Sequence, residues 1–251
     1  MGINGKKIEY ISIIGIDGSG KSTWSGQITD YLGENNKVVG VSDEISYKND
    51  GRYRKKIIFK IWKFFWRASK RTKKKIFYKI IKITELTFRM KALKLVVKEN
   101  PVDIVVSDGA PLINILAWGN IYYPKIFNDD LCTRVFKHLS GIEKVKFWDN
   151  MYYLRVAPEI FILNILHIRF FIPDVIIFLE ISPKEAIDRI NIRGKDLQFH
   201  ETEDKLSKLQ SGYYRVINLL ENNFNIEIIK QNVDNLSISD NMKIIKNNFN
   251  L

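Results

Sequence analysis

The stretch EYISIIGIDGSGKST, residues 9–23, decides the fold of this chain. Its first six residues are mostly apolar and β-branched, which predicts a strand covered on both faces, as in a parallel sheet. The next eight, residues 15–22, fit the pattern G-x-x-x-x-G-K-[ST], and Thr23 follows. Apolar residues then recur at helical spacing until Gly33, which predicts a helix and its end. A strand, a glycine-rich loop and a helix in this order form the setting in which the pattern binds phosphate.

The loop has the chemistry that a polyphosphate requires. Its glycines let successive N–H groups and the positive end of the helix converge on phosphate oxygens. Lys21 adds a mobile charge, and Ser22 offers a hydroxyl to Mg²⁺. A plain glycine turn is the alternative, and the dinucleotide pattern G-x-G-x-x-G fits worse because Thr23 replaces its third glycine. We therefore expect ATP and Mg²⁺ to be bound by Gly15, Asp17, Gly18, Ser19, Gly20, Lys21, Ser22 and Thr23.

Four more strands are predicted along the chain. β-Branched runs stand at residues 37–42, 102–107, 175–181 and 225–230, with helical stretches between them. This alternation predicts an α/β fold with a five-stranded parallel sheet and helices on both faces. The long intervals between strands predict a single domain over residues 1–251 with a basic helical insertion at about 47–82 and a helical insertion at about 120–172. Within the second insertion, residues 157–172 suggest a buried helix rather than a bilayer span.

The positive charge of the chain is concentrated in the first insertion. The net charge is +12, but residues 48–82 hold fifteen Lys or Arg against Asp50 alone, and the rest is nearly balanced. One helical stripe predicted here is basic: Lys56, Lys60, Lys63, Arg67, Lys70 and Lys74. A neighbouring stripe is apolar, comprising Ile57, Ile61, Phe64, Phe65 and Ala68, with Trp62 and Trp66 alongside. Such a helix can be a lid on the core, can lie on an anionic membrane surface, or can contact a polyanion.

Composition excludes several other classes. A single cysteine, Cys132, and three histidines exclude a disulfide framework and argue against a zinc site. No targeting signal is recognised at the start of the sequence, so the cytoplasm is the expected compartment. Of these three readings of the basic helix, nucleic acid or another polyanion ranks last because no known nucleic-acid-binding module surrounds the basic stripe. The oligomeric state is left open, including a homodimer.

Charged residues follow two of the predicted strands. Asp108 comes directly after the third strand, at the sheet edge where ligands of open α/β folds bind, and is a candidate for holding Mg²⁺ or positioning the attacking oxygen. A plain Asp-Gly turn is the alternative. After the fourth strand, Arg189 and Arg193 lie four residues apart on one helix face. They can neutralise charge on a transferred phosphoryl group, or merely complement the helix dipole.

Together these segments resemble the thymidylate kinases and the wider group of P-loop nucleoside monophosphate kinases. Residues 15–23 are similar to the family's G-x-D-G-x-G-K-S-T loop, and residues 173–194 to its fourth strand and the approach to its lid. Residues 85–89 are similar in placement to its substrate helix. Further downstream, Glu201 and Glu203 before a helix with Tyr213 or Tyr214 look like the corresponding family segment.

The resemblance implies a P-loop NTPase fold and transfer of the γ-phosphoryl group of ATP to a nucleoside monophosphate, dTMP or a related acceptor. Asp17 and Arg89 would bind this acceptor together with Asp108, and Ser22 and Asp108 would hold Mg²⁺. The residues implied in catalysis are Lys21, Asp17, Asp108, Arg189 and Arg193. The arginines that the family carries after the second and third strands are absent, since Ser42-Asp43-Glu44 and Asp108-Gly109-Ala110 stand there.

A second hypothesis comes from a different class of protein. The chain would be a nucleotide-dependent binding module that docks on an anionic membrane surface or a polyanion through its basic helix and uses ATP only as a switch. The two hypotheses differ in whether ADP forms in proportion to an added acceptor.

Overall fold

A computed structural model describes residues 2–3, 6–47, 56–72, 75–193, 201–224, 226–236, 240 and 243–245. Residues 48–55, 73–74 and 194–200 of the predicted elements lie outside this part, and Lys74 of the basic stripe with them. The strands are β1 (Gly2–Ile3), β2 (Lys6–Lys7), β3 (Glu9–Ile14), β4 (Val38–Val41), β5 (Ile45–Ser46), β6 (Ile104–Asp108), β7 (Val175–Glu180) and β8 (Glu227–Asn232). The helices are α1 (Lys21–Leu32), α2 (Ile57–Arg71), α3 (Lys75–Glu99), α4 (Pro111–Tyr122), α5 (Asp129–Ser140), α6 (Phe147–Val156), α7 (Pro158–Ile165), α8 (Pro183–Ile192) and α9 (Glu203–Asn223).

Within the described part of the chain, the main sheet has six strands in the order β5-β4-β6-β3-β7-β8. The α/β class is as predicted, but the sheet is mixed rather than five-stranded and parallel, because β5 pairs antiparallel with β4. The chain turns back through a hydrogen bond of 2.8 Å from the Ser42 N–H to the Glu44 carbonyl. A two-residue edge strand has no alternation to detect, which is why the sequence pattern missed it.

The centre of the sheet positions the two loops that matter most. β3 lies between β6 and β7 and is parallel to both. All of β3 except Glu9 is buried, as its apolar sequence predicts. In the register of β3 and β6, Ile13 is paired with Asp108. The loop after β3 and the end of β6 are therefore neighbours at the carboxyl edge of the sheet.

Helix boundaries follow from local chemistry. α5 begins where the Asn128 side chain accepts the Leu131 N–H at 2.9 Å, and it ends at Gly141, whose φ of +84° is left-handed. α8 begins where Ser182 accepts the Glu185 N–H at 3.3 Å. α1 packs on β3, β4 and β6, while α2 packs on α3 and α4 packs on α9.

The predicted apolar stripe of α2 is only partly buried, since Ile61, Phe65 and Ala68 are half-buried. The buried residues of α2 are Phe59, Trp62 and Ser69, whereas Ile57 and Phe64 are 71% and 64% exposed. Part of the predicted basic stripe also lies against the protein, where it has acidic partners. Lys63 and Lys70 form ion pairs with Glu44 and Asp43 just after β4, and Lys56 pairs with Glu99 at the end of α3. Hydropathy alone did not reveal these partners.

The predicted buried helix over 157–172 is shorter than expected and only partly buried. α7 ends at Ile165, and Ile162, Ile165 and Leu166 are more than half exposed. The helix stops because His167 adopts a left-handed φ of 50° and the Ile168 N–H turns back to the Leu163 carbonyl at 2.9 Å. Over the described ranges, we find no helix with the length and apolar character needed to cross a bilayer.

Candidate active site

The loop between β3 and α1 is packed against backbone rather than side chains. Gly18 has a φ of +87°, and a Cβ at this position would lie 2.4 Å from the carbonyl oxygen of Ala186 in α8. At Gly15 a Cβ would lie 2.7 Å from the carbonyl oxygen of Leu179 in β7. Only glycine permits both contacts. The predicted phosphate loop is thereby held between β7 and α8.

The loop's polar groups fit a polyphosphate. Lys21 Nζ donates to the Ile16 carbonyl at 2.8 Å and lies 3.3 Å from Asp17 Oδ1, so its charge is folded over the loop. Ser19 is 1% exposed, and its hydroxyl has no hydrogen-bond partner among the described residues. A buried hydroxyl without a partner is costly. A phosphate oxygen is an acceptor that this hydroxyl and the N–H groups of α1 can share.

The two residues predicted to hold Mg²⁺ are brought into contact. Ser22 is in the first turn of α1 and Asp108 ends β6, and the Ser22 hydroxyl donates to Asp108 Oδ2 at 2.5 Å. The described residues contain no cluster of three or more His, Cys, Asp or Glu that could hold a metal. One hydroxyl and one carboxylate suit Mg²⁺, which is commonly bound by few protein oxygens together with water and substrate phosphates. The donor set therefore fits this ion.

Arg89 joins the ends of two strands. It lies on α3, and its Nη2 donates to the carbonyls of Asp108 at 2.7 Å and Val41 at 3.2 Å. The side chain also lines the cavity described below. It therefore fixes the position of Asp108, while its predicted contact with the acceptor stays a prediction.

Arg189 and Arg193 face the site from α8 and its end. Arg189 donates to Glu185 at 3.0 Å and to the Val233 carbonyl at 2.8 Å. Arg193 donates at 2.6 Å to the buried carboxylate of Glu201. Both line the cavity with the phosphate loop, as their shared helix face predicted. Their role in phosphoryl transfer stays a prediction.

One cavity of about 500 Å³ brings these residues together. It is bounded by the phosphate loop, Asp108, Arg89, Arg189 and Arg193. Its other walls come largely from residues that the sequence analysis did not assign to the site: Ser42, Asp43, Trp66, Ser69, Lys70, Tyr78, Lys82, Glu85, Asn114 and Trp118. Most of these lie on α2, α3 and α4. The basic insertion is thus part of the site.

Glu85 is the most deeply buried charge among the missed residues. It is 1% exposed, accepts the indole N–H of Trp62 at 3.0 Å, and forms an ion pair of 2.8 Å with Lys82. Burial opposes its ionisation, but the charges of Lys82 and Arg89 and the hydrogen bonds outweigh this, so its pKa is lowered. Glu85 is the only acidic residue in 51–98, and this isolation in a basic segment could have marked it as a candidate site residue.

Asp43 places a second carboxylate at the site. It follows β4, accepts the indole N–H of Trp66 at 2.8 Å, and accepts from Lys70 at 3.1 Å. Partial burial opposes its ionisation, but these hydrogen bonds and the charges of Lys70 and Arg89 lower its pKa. Asp43 follows a strand at the carboxyl edge of the sheet, as Asp108 does, and this position could have marked it as a candidate site residue.

Comparison with the sequences of known proteins finds a match over part of the chain. No protein-family model matches the chain. The sequence is 32% identical to thymidylate kinases of Leptospira interrogans serovars copenhageni and Lai over 62 residues, which are 25% of this chain and 30% of those proteins. The match thus spans under a third of the length of these curated relatives.

Two solved structures extend the comparison to the whole fold. Both are of deoxyadenosine kinase from M. mycoides, and each superposes on 96% of this chain. The form with bound dATP gives a TM-score of 0.54 at 21% identity and is covered completely. The form with dCMP and dCDP gives 0.52 at 22% identity, with 98% of it covered. The resemblance to thymidylate kinase-like P-loop kinases is confirmed. At these identities, the structural likeness to the P-loop kinases establishes the fold alone.

Proposed function

We propose that this protein is an ATP- and Mg²⁺-dependent phosphotransferase that acts on a nucleoside monophosphate or a nucleoside. The observation that carries the proposal is the 2.5 Å contact between Ser22 and Asp108, at the mouth of a cavity that also holds Lys21 and Arg89. This contact joins the predicted phosphate loop to the end of the neighbouring strand, β6. The similarity to thymidylate kinases supports the same reaction class.

The chain's own residues divide the work of phosphoryl transfer. The loop N–H groups and Lys21 bind the phosphates of ATP, and Ser22 and Asp108 would hold Mg²⁺, which neutralises phosphate charge when bound. Asp17 lies beside Lys21 and would orient the acceptor. Arg189 and Arg193, already fixed by carboxylates of the protein, would stabilise charge that develops during transfer.

A nucleoside monophosphate is the first candidate acceptor. The cavity lacks the family's two arginines, but Lys70 and Lys82 from the basic insertion and Arg89 supply three cations on its acceptor side. They are candidates for holding the acceptor phosphate in place of the missing arginines. The solved deoxyadenosine kinase of this fold holds dCMP and dCDP as products, which is compatible with a nucleoside acceptor as well as with a monophosphate.

A nucleoside is the second candidate, and Asp43 favours it. A carboxylate with a lowered pKa stands where the family carries an arginine, and Gly109 follows Asp108 without a cation. An ionised carboxylate can accept the proton of an attacking hydroxyl but would repel an acceptor phosphate. This candidate transfers phosphate to the hydroxyl of an unphosphorylated nucleoside.

An ADP-release screen tests the proposal and separates the candidates. Purified protein with ATP and Mg²⁺ is given the four deoxynucleosides, the four deoxynucleoside monophosphates and their ribose counterparts, with a reaction lacking acceptor as the control. We expect acceptor-dependent ADP and one phosphorylated product for each ADP. ADP formation that is unaffected by every acceptor would overturn the proposal.

The docking module gains no support from the contacts of α2. Trp66, Ser69 and Lys70 line the cavity, and Lys56, Lys63 and Lys70 pair with carboxylates of the protein. These contacts are those of a helix lying on the kinase core. Co-sedimentation with anionic vesicles, lost in K60A/R67A and accompanied by no acceptor-dependent turnover, would favour docking instead.

A further inference from the structure

The outer face of α6, in the second insertion, is apolar. Phe147 and Trp148 are 66% and 79% exposed, and Tyr152 and Leu154 are exposed as well. Every residue of α6 lies in the described part of the chain, and among its exposed residues only Arg155 is charged. A helix on the surface of a single molecule normally turns charged and polar residues outward. The outer face of α6 is therefore suited to contact with another surface.

The inner face of α6 is held by the protein. Tyr153 is fully buried, and its hydroxyl lies 2.8 Å from His138 Nδ1 of α5. The Lys146 N–H donates to Asp149 at 3.0 Å, which fixes the start of the helix. Because these contacts set the orientation of α6, its outer side chains are presented in a fixed arrangement. A preorganised surface loses little conformational freedom when it binds.

The exposed apolar area is of the size that a specific interface needs. The exposed fractions of Phe147, Trp148 and Tyr152 correspond to about 270–450 Å² in one copy, at about 150–250 Å² for a whole aromatic side chain. Four aliphatic side chains on α6 and on α7, which packs against it, are between 47% and 62% exposed: Leu154, Ile162, Ile165 and Leu166. Two copies joined through these residues would bury roughly 1,000 Å², the area expected of a specific interface.

The outer face of α6 is complementary to a second copy of itself. At about 3.6 residues per turn, Met151 lies at its centre. Phe147 and Leu154 lie on one side of Met151. Trp148 and Arg155 lie on the other side. In an antiparallel pair with a two-fold axis at Met151, Trp148 meets Arg155 of the second copy and Phe147 meets its Leu154. The first contact is a cation–π interaction and the second is apolar, and symmetry forms each of them twice.

An anionic membrane surface fits this face less well. Residues 141–156 carry three Lys or Arg and two acidic residues, so electrostatic attraction to anionic lipids is small. We propose that the outer face of α6, together with the exposed residues of α7, is the contact surface between two copies of this chain, with the two α6 helices antiparallel about Met151. This interaction is independent of the proposed function.

The mass of the protein in solution tests the proposal. Light scattering after size-exclusion chromatography is measured on samples at about 50 µM, above the micromolar dissociation constants of weak interfaces. We expect the wild-type protein at the mass of two chains and F147S/W148S at the mass of one. The matched control is I57S/F64S, which replaces two comparably exposed apolar side chains on α2 and should keep the mass of two chains.

A single introduced cysteine tests the antiparallel arrangement. In M151C the two cysteines lie at the two-fold axis, so mild oxidation should give a disulfide-linked dimer. I57C on α2 should crosslink much more slowly, and Cys132 is buried. Three results overturn the proposal: wild-type protein at the mass of one chain, a two-chain mass in folded F147S/W148S, or crosslinking of M151C no faster than that of I57C. Single-chain wild-type protein that sediments with anionic vesicles would overturn it in favour of a membrane surface. If F147S/W148S does not fold, the wild-type mass and M151C decide.

Discussion

Replacing Glu85 by leucine tests how much the contact between α2 and Glu85 of α3 contributes to stability. Glu85 lies on α3 with 1% exposure and holds α2 through the indole N–H of Trp62, at 3.0 Å. It also neutralises Lys82 at 2.8 Å. Leucine fills similar space but accepts no hydrogen bond. In E85L, Trp62 and Lys82 therefore lose their acceptor in the wall of the active-site cavity.

The size of the effect follows from the burial of these partners. Trp62 is fully buried, and an unsatisfied donor there costs about 1–3 kcal/mol. Breaking a buried ion pair costs about 3–5 kcal/mol, but Lys82 is 33% exposed and can turn partly to water. We expect E85L to lower the free energy of unfolding by about 2–4 kcal/mol. Glutamine keeps an acceptor for Trp62, so E85Q should cost less than E85L.

The pH dependence of the stability gives a second, independent test of the Glu85 contact. The folded pKa of Glu85 lies below its ordinary value of 4.5, because the charges of Lys82 and Arg89 and the hydrogen bonds outweigh burial. The stabilisation is therefore fully present above pH 4.5 and is lost as the pH falls through the folded pKa. E85L lacks this contribution. Its stability difference from wild type should shrink on acidification.

Urea denaturation of both proteins from pH 7 downwards measures these effects. The matched control is E99Q, which removes an exposed ion pair between Glu99 on α3 and Lys56 at the start of α2, and should cost less than about 1 kcal/mol. If E85L costs no more than E99Q, or its deficit grows on acidification, the account of this contact is wrong.

Two further predictions concern the loop and the second insertion. G18A places a Cβ 2.4 Å from the Ala186 carbonyl at a φ of +87°, so it should cost about 1–3 kcal/mol of stability and weaken ATP binding at least about tenfold. A fully stable variant with wild-type affinity would show that the loop can shift without penalty. Burial lowers the pKa of His138, against the opposing charge of Asp149, so stability should decline as the pH drops below the ordinary value of 6.5. H138Q can keep the hydrogen bond to Tyr153 without titrating. Its free energy of unfolding, measured with urea between pH 7 and 5, should therefore change less with pH than that of the wild type. An equal change in both proteins would argue against a buried neutral ring.

Local patterns were enough to predict the centre of the molecule. β3, its loop and α1 follow one another in sequence, and each is specified by its own residues: apolar β-branched side chains, glycines and helical periodicity. Asp108 could be placed beside Ser22 because parallel strands end at a common edge of the sheet. These inferences need no knowledge of distant contacts.

The acceptor side could not be predicted in the same way. Glu85 and Asp43 accept hydrogen bonds from Trp62 and Trp66 on another element, α2, and Lys82 pairs with Glu85. Ile57 and Phe64 are exposed, so hydrophobicity alone did not predict which face of α2 is buried.

Titration of Mg²⁺-ATP into the protein in a calorimeter tests the central claim, that the loop after β3 holds a polyphosphate. The account predicts measurable binding to the wild-type protein and at least about tenfold weaker binding to K21A, since a charge-assisted contact is lost. K21A should also lose turnover but remain folded, because the polar contacts of Lys21 within the described residues are to the partly exposed Asp17 and a backbone carbonyl. No heat with the wild-type protein, or equal affinity in folded K21A, would contradict it.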